Sequence, residues 1–391
     1  MHDALPLSLY VHMPWCVRKC PYCDFNSHAL NAAVDRRGYR EALRRDFERD
    51  IELLGARPIE SVFFGGGTPS LFAPEDFAWL LDALRAAHPI LADAEITLEA
   101  NPGTIERGRF QGYREAGITR VSLGAQSFSA KALARLGRIH ALEDTLRSVD
   151  ELRAAGVENF NLDLMYALPE QTLEEALADV RMACELEPAH LSHYQLTLEP
   201  GTVFHARPPP LPDEDLAWRM QIEAQALIAA NGFEQYEVSA YARPGRRCHH
   251  NLNYWRFGDY VGIGAGAHGK LSAHLPDGVL RTVKARMPGE FMREVAASVL
   301  PAGARTPVER ASLPFEFMLN ALRLQEGFSS ADFEARTGLP FATVRPTLEQ
   351  AAKRRLVEVG QTGGREGSHS RWRPSELGRR FLNDLQAQFL G

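Results

Sequence analysis

Cysteine is scarce in this chain, five residues in 391. That scarcity argues against a disulfide-stapled scaffold. Long apolar runs are missing too: no stretch of 18 or more apolar residues occurs, so no transmembrane helix is expected. The first residues, Met1-His2-Asp3-Ala4, lack the basic start and apolar run of a secretory leader, and a reducing, cytoplasmic setting is the expectation. An excess of positive charge is also lacking. Lys and Arg number 44 against 50 Asp and Glu, a net charge of −6. A chain with that balance is not built mainly to wrap nucleic acid. The Gly-Lys-Ser/Thr ending of a phosphate-binding loop does not occur, and the glycine run at Gly65-Gly66-Gly67-Thr68-Pro69 is not the dinucleotide fingerprint. What remains is an ordinary composition for a soluble globular protein, 45% hydrophobic and 24% charged, with length for two or three domains.

Three of the five cysteines nevertheless fall within eight positions, in Pro14-Trp15-Cys16-Val17-Arg18-Lys19-Cys20-Pro21-Tyr22-Cys23-Asp24-Phe25. Three thiolates can hold three corners of a cubic iron–sulfur cluster and leave the fourth iron open. Four-cysteine sites close every iron. A structural zinc site is the competing reading, with His12 or His28 as a fourth ligand. Its usual paired knuckles are not there: the first gap is three residues and no second knuckle follows. Cys184 lies in an apolar, helix-like stretch and reads as a small buried hydrophobe.

Short apolar runs alternate with helix-like stretches. Strands are expected at Leu7–Met13, Glu60–Phe64, Glu95–Asn101, Arg120–Ser127, Asn159–Leu168 and His190–Leu198. Helices are expected between them, at Arg40–Leu54, Pro74–Ala87, Leu142–Ala155 and Leu173–Glu187. Six strand–helix repeats read as parallel βα units in a barrel or a doubly wound sheet. Glu99, Gln126 and Asp163 fall late in their strands, where a barrel places its active site, and this favours the barrel.

Arg207-Pro208-Pro209-Pro210-Leu211-Pro212 reads as a stiff linker. The expected divisions are a core at 1–206, an accessory region at 207–300 and a small terminal unit at 301–391. The accessory region should open with a helix at Asp213–Ala230 and continue as irregular, glycine-rich chain through Cys248-His249-His250-Asn251-Leu252-Asn253-Tyr254-Trp255. The terminal unit reads as a winged helix. Helices are expected at Pro314–Gln325 and Phe341–Arg355, and a short one between them starts at a Ser329/Asp332 capping box. A wing follows from Leu356–Val359, a glycine-rich tip at Gly360–Gly367 and Arg371-Trp372-Arg373, with a last helix after Ser375. From Ala302 onward 13 Arg and Lys face 10 Asp and Glu, too mild an excess to argue for DNA binding.

Gly65-Gly66-Gly67-Thr68-Pro69 ends an apolar strand, and successive glycines let a backbone approach a ligand closely. A tight βα turn without a ligand is the plain alternative. Together with the cysteine triplet and Glu99, this run resembles the radical S-adenosylmethionine superfamily. The resemblance extends nearly end to end, toward the group of the oxygen-independent coproporphyrinogen III oxidases and the heme chaperones. It rests on Leu9-Tyr10-Val11-His12-Met13-Pro14, Gly65–Ser70, Glu99-Ala100-Asn101-Pro102, Gly124-Ala125-Gln126-Ser127, Arg138 and Asp163-Leu164-Met165-Tyr166.

The resemblance implies an α/β fold: a partial parallel (β/α)6 barrel, an accessory region and a C-terminal winged-helix-like domain. It implies a 4Fe-4S cluster on Cys16, Cys20 and Cys23, with the open iron chelating S-adenosylmethionine. Tyr10, Tyr22, Gly66, Gly67, Thr68 and Glu99 would contact that cofactor, and Gln126, Arg138 and Asp163 would line the deeper site. No catalytic residue is assigned. The His-Asn-x-x-Tyr-Trp stretch (His250, Asn251, Tyr254, Trp255) implies heme, with His250 as axial ligand and Cys248 as an alternative; a packed loop histidine is the plain reading. For the heme chaperones the resemblance implies delivery of heme to heme-requiring respiratory proteins, with only transient proximity to a membrane. Two departures count against coproporphyrinogen III oxidase activity. Phe25 stands where the oxidases have another cysteine, and only fifteen residues precede Cys16.

Overall fold

The computed structural model describes residues 5–30, 34–103, 108–272, 278–298, 303–361 and 370–390. Six strands follow the expected order: β1 (Leu7–Met13), β2 (Ile59–Gly66), β3 (Ile90–Ala100), β4 (Arg120–Gln126), β5 (Phe160–Tyr166) and β6 (His190–Gln195). Each pairs in parallel with the next. The order never reverses, as it must in a doubly wound sheet, so the barrel alternative holds. The barrel is partial. Its sheet stays open and continues at both edges into antiparallel strands.

Alternation along the strands sorts residues onto two faces. Leu7, Leu9 and Val11 of β1, Val62 and Phe64 of β2, Ile96 and Leu98 of β3, and Leu162 and Leu164 of β5 are buried in one apolar core with helix residues. Those helices are α1 (Arg36–Asp50), α2 (Pro74–Ala87), α3 (Leu142–Ala154) and α4 (Leu173–Glu185). The intervening positions carry Ser8, Tyr10, His12, Ser61, Glu95, Glu99, Arg120, Ser122, Asn161, Asp163, His190 and Ser192. Hydrogen bonds cross the strands on this inner face: Ser8 to Ser61 (2.8 Å), Asn161 Nδ2 to Ser122 Oγ (2.7 Å) and His190 to Asn161 (2.6 Å). The lumen is therefore polar, and the layer beneath the helices is apolar.

Local chemistry sets the helix ends. Asp35 caps α1 through the Gly38 N–H, so the helix starts earlier than expected and gives way to a 3-10 turn at Ile51–Leu53 before Gly55. Pro74 occupies the first position of α2, and Thr172 with Glu175 forms a capping box on α4. Asp213 caps the expected helix after the proline run, α5 (Glu214–Ala230), which packs on α4.

The segment expected to be irregular is not. Residues His249–Trp255 form a helix, α6, and Asp259–Ile263 form a seventh parallel strand, β7, on the free side of β1. All five residues of β7 are buried, and only Asp259 and Tyr260 among them carry polar groups, so its sequence shows no polar alternation. Burial also decides α6, whose residues are mediocre helix formers. Asn253 donates from Nδ2 to Ser8 Oγ and to Asp259 O, both at 2.8 Å, tying α6 to β1 and β7.

The terminal unit contains α7 (Leu313–Ala321), α8 (Ser330–Thr337), α9 (Arg345–Lys353) and a three-stranded sheet of Phe328–Ser329, Val357–Gln361 and Ser370–Pro374. The capping box at Ser329 and Asp332 forms as expected. Phe317, Phe333, Phe341 and Trp372 make its core, and Phe257 from beyond α6 joins them. Residues 362–367 of the expected wing tip lie outside the described residues.

Candidate functional site

The loop after β1 presents all three clustered cysteines as half-buried side chains. Its shape is held by the chain itself. Lys19 Nζ donates to the carbonyls of Phe25 (3.1 Å) and Ser27 (3.3 Å), and His28 N donates to Pro14 O (2.7 Å). The Arg138 Nη1 lies 3.8 Å from Cys20 Sγ, and Ser27 Oγ lies 3.9 Å from Cys23 Sγ. Burial raises the thiols of Cys16 and Cys23 above the ordinary range.

The glycine run at the end of β2 passes directly beneath this loop. Gly67 N donates to Met13 O (2.8 Å) and Thr68 N to Trp15 O (2.7 Å). A Cβ on Gly66 would lie 2.5 Å from the His12 ring, and one on Gly67 would lie 2.6 Å from the Trp15 carbonyl oxygen. Gly66 also takes a φ of 118°, open to glycine and costly for other residues. The glycines thus admit the cluster loop itself, and they leave the Gly66 N–H pointing at Glu99.

Eleven of the thirteen residues singled out from the sequence line one cavity of about 570 Å³: Cys16, Cys20, Cys23, Tyr22, Gly66, Gly67, Thr68, Glu99, Gln126, Arg138 and Asp163. Glu99 Oε2 accepts from Gly66 N at 3.0 Å. Burial, and next the charge of Asp163, push the Glu99 carboxyl up to about 8, while the Gly66 N–H works against the rise. Burial raises Asp163 as well, against hydrogen bonds from Asn161 and Ser122 and the charge of Arg120. Arg138 donates from Nη2 to Gly124 O at 2.9 Å and to the Asn101 side chain. Gln126 sits at φ 65°, an uncommon conformation for a side-chain-bearing residue, and its Oε1 accepts from Tyr194 OH at 2.7 Å.

Tyr10 and His250 stand outside the cavity lining. Tyr10 lies behind it: its hydroxyl meets His12 Nδ1 at 3.0 Å and its ring stacks on Phe63. His250 lies deeper on the inner face. Its Nδ1 is 3.1 Å from Ser61 Oγ, its ring packs on Phe63 at 5.0 Å, and its backbone N–H donates to Glu95 Oε1, which also accepts from Cys248 Sγ. Burial, then the Arg120 charge, lower the imidazole to about 3. Its helix neighbours Asn251 and Trp255 do line the cavity, on α6.

Several lining residues escaped the sequence reading. Ser122 and Ser192 pair across the sheet with Glu99 and Asp163, and Tyr194 follows Ser192 on the same face of its strand. Glu237 and Arg323 carry no such signal. The donor set fits the groups the sequence implies. Three thiols share a cavity wall, the number that leaves one iron of a four-iron cluster without a protein ligand, Arg138 lies beside one of them, and a recessed carboxyl beside a backbone N–H suits an amino-acid ligand.

Residues 10–183 match the Radical SAM superfamily and residues 308–381 match the HemN C-terminal domain. The chain is 49% identical over 387 residues to the heme chaperone HemW of Escherichia coli (strain K12), covering 98% of both chains. It is 45% identical over 390 residues to the heme chaperone HemW of Haemophilus influenzae, again over 98% of both. Among solved structures it is similar to the coproporphyrinogen III oxidase HemN of Escherichia coli. The TM-score is 0.79 at 22% identity, over 99% of this chain and 90% of that one.

Proposed function

Because this chain belongs to the radical S-adenosylmethionine superfamily, in the family of the heme chaperone HemW, we propose that it binds heme and hands it to heme-requiring respiratory proteins. The observation that carries this reading is the shared cavity: the cluster cysteines line it together with Asn251 and Trp255 of the His-Asn-x-x-Tyr-Trp helix.

In this reading Cys16, Cys20 and Cys23 hold a 4Fe-4S cluster. Gly66, Gly67, Thr68, Glu99 and Tyr22 bind S-adenosylmethionine at the open iron, and Gln126, Arg138 and Asp163 shape the deeper wall. Tyr10 acts from behind, fixing the His12 ring against Gly66. When reduced, such a cluster supplies one electron to the bound sulfonium. His250 is the heme ligand. Its imidazole is neutral at physiological pH, as a histidine that would hold the heme iron must be. With Ser61 Oγ accepting from Nδ1–H, the Nε2 lone pair is left for iron. We place this role in the cytoplasm, with the membrane approached only at delivery. Among the described residues, no helix is long and apolar enough to cross one.

We assign no propionate decarboxylation. The likeness to the solved oxidase, at 22% identity, carries the fold alone, and Phe25 stands exposed at the cavity mouth, where the oxidase resemblance calls for cysteine.

Anaerobic, cluster-loaded protein titrated with heme should give a saturable Soret band, and His250→Ala should lose it. Equal isotherms for the two proteins would refute the His250 assignment. With S-adenosylmethionine, reductant and coproporphyrinogen III, stoichiometric release of carbon dioxide would instead favour the oxidase. Metal analysis finding about one zinc and no sulfide would overturn both.

A further inference from the structure

The C-terminal unit adds one charged side chain to the main cavity. Arg323, just past α7, lines it beside Glu237, Ser239, Asn251 and Trp255. Its guanidinium carbon lies 4.3 Å over the Trp255 ring, and its Nη2 donates to Glu237 Oε2 at 3.1 Å. Glu237 is 4% exposed, and its other oxygen accepts from Ser239 N at 3.0 Å.

Donors outnumber acceptors here. The Nε of Arg323 and the indole Nε1 of Trp255 are both buried without a hydrogen-bond partner among the described residues. A buried donor without an acceptor is costly, and native proteins rarely keep one without a use for it. Two such donors, on a guanidinium lying over an indole ring in a cavity wall, call for an acceptor brought by a ligand. The indole offers a flat apolar surface, and the free N–H groups beside it ask for an oxygen anion. A guanidinium has five N–H donors and can hold a second carboxylate while retaining the first.

We propose that Arg323 and Trp255 form a carboxylate-recognition subsite for a flat macrocycle bearing acidic side chains, with Glu237 as the competing carboxylate that holds Arg323 in the ligand-free protein. The proposal rests on the heme reading above and adds what recognises the propionate edge. It also explains what the C-terminal unit contributes to the site, namely the cation that the barrel wall lacks at this point. Binding draws Arg323 partly away from Glu237, so ligand occupancy and the seating of the C-terminal unit are coupled through one side chain.

The test compares ferric heme with its dimethyl ester, which keeps the iron and ring but has no free carboxylate. Both are titrated into cluster-loaded protein and followed by the Soret band. Wild type should bind heme at least about tenfold more tightly than the diester. Arg323→Leu should weaken heme by a similar factor and leave the diester unchanged, Arg323→Lys should keep part of the preference, and Glu237→Gln should tighten heme. Equal wild-type affinities for heme and diester would overturn the subsite while leaving the heme reading standing. Binding of neither would overturn both. If Arg323→Leu does not fold, the wild-type comparison and Arg323→Lys still decide. An unchanged heme-to-diester ratio in folded Arg323→Leu refutes the proposal.

Discussion

The Glu99 carboxylate reaches from the end of β3 to the Gly66 N–H at the end of β2, 3.0 Å away. Its pKa is pushed up to about 8, so near neutral pH the ligand-free protein keeps this carboxyl mostly protonated. A ligand carrying an ammonium or sulfonium cation favours the ionised form. Binding of S-adenosylmethionine should therefore release a proton at pH 7, and affinity should climb with pH until about 8 and level off above it. Calorimetry in two buffers of different ionisation enthalpy reads the proton directly, and identical heats would refute the assignment. Glu99→Gln should abolish the proton release.

The same carboxyl gives the ligand-free protein a stability window. Its folded pKa of about 8 lies above the ordinary 4.5, so the fold binds the proton more tightly than the unfolded chain does. That contribution is complete below about 4.5 and is lost as pH rises through about 8. Glu99→Gln has no proton to lose. Relative to wild type the variant should gain on the order of 1–3 kcal/mol between pH 6 and pH 9. Urea denaturation at the two pH values measures this difference, and no change between them would show that Glu99 is already ionised in the folded state.

Gly66→Ala should be among the most damaging small substitutions in the site. The new Cβ meets the His12 ring at 2.5 Å, and that ring is held at both nitrogens, by Tyr10 OH and by Asn26 O at 2.8 Å. Clash and φ strain together should cost about 3 kcal/mol. Gly156→Ala is the control. Its φ is 72° but its Cβ would meet nothing within 4 Å, so only the conformational penalty, about 1 kcal/mol, remains. Thermal unfolding of the two variants separates close approach from backbone strain.

The five cysteines should divide sharply in metal analysis. Alanine at Cys16, Cys20 or Cys23 should bring bound iron and sulfide close to zero. Cys184→Ala and Cys248→Ala should leave both at wild-type levels, since both are buried away from the loop. Cys248→Ala should still lose stability, about 1–2 kcal/mol, because Glu95 loses one of the donors that anchor α6. Iron loss in Cys248→Ala would place that thiol in the cluster.

Much of this arrangement was legible in the chain, for definable reasons. The six strands announced themselves because each has an apolar face under helices and a polar face toward the lumen, so period two survives in the sequence. Glu99 and Gln126 were legible as strand-end polar residues, whereas Asp163, expected late in its strand, sits at the middle of β5 and reaches the cavity from the inner face. β7 was not legible, because its five residues carry too few polar side chains to show a period. The helix at His249–Trp255 was not either, because tertiary hydrogen bonds through Asn253 and Glu95, rather than propensity, hold it. Arg323 follows an ordinary helix in the terminal unit. Only the packing of that unit on Trp255 brings it to the cavity, and no local pattern encodes that.

The placement of His250 yields a final prediction through Ser61, a residue that touches neither the cavity nor a ligand. Ser61 Oγ bonds Ser8 Oγ at 2.8 Å and His250 Nδ1 at 3.1 Å, so it fixes the ring orientation, and where it accepts from Nδ1–H it holds the tautomer that leaves Nε2 unprotonated. Removing the hydroxyl frees the ring to turn and lets the proton settle on either nitrogen. Ser61→Ala should then weaken heme binding about tenfold and alter the Soret band, as loss of an outer partner does at other metal sites. Its affinity for S-adenosylmethionine should not change, since Glu99, Gly66 and Thr68 keep their places. Ser61→Thr, which restores a hydroxyl, should recover most of the heme affinity. A wild-type heme isotherm in Ser61→Ala would mean that His250 does not bind iron through this tautomer, and the search for the axial ligand would pass to Cys248.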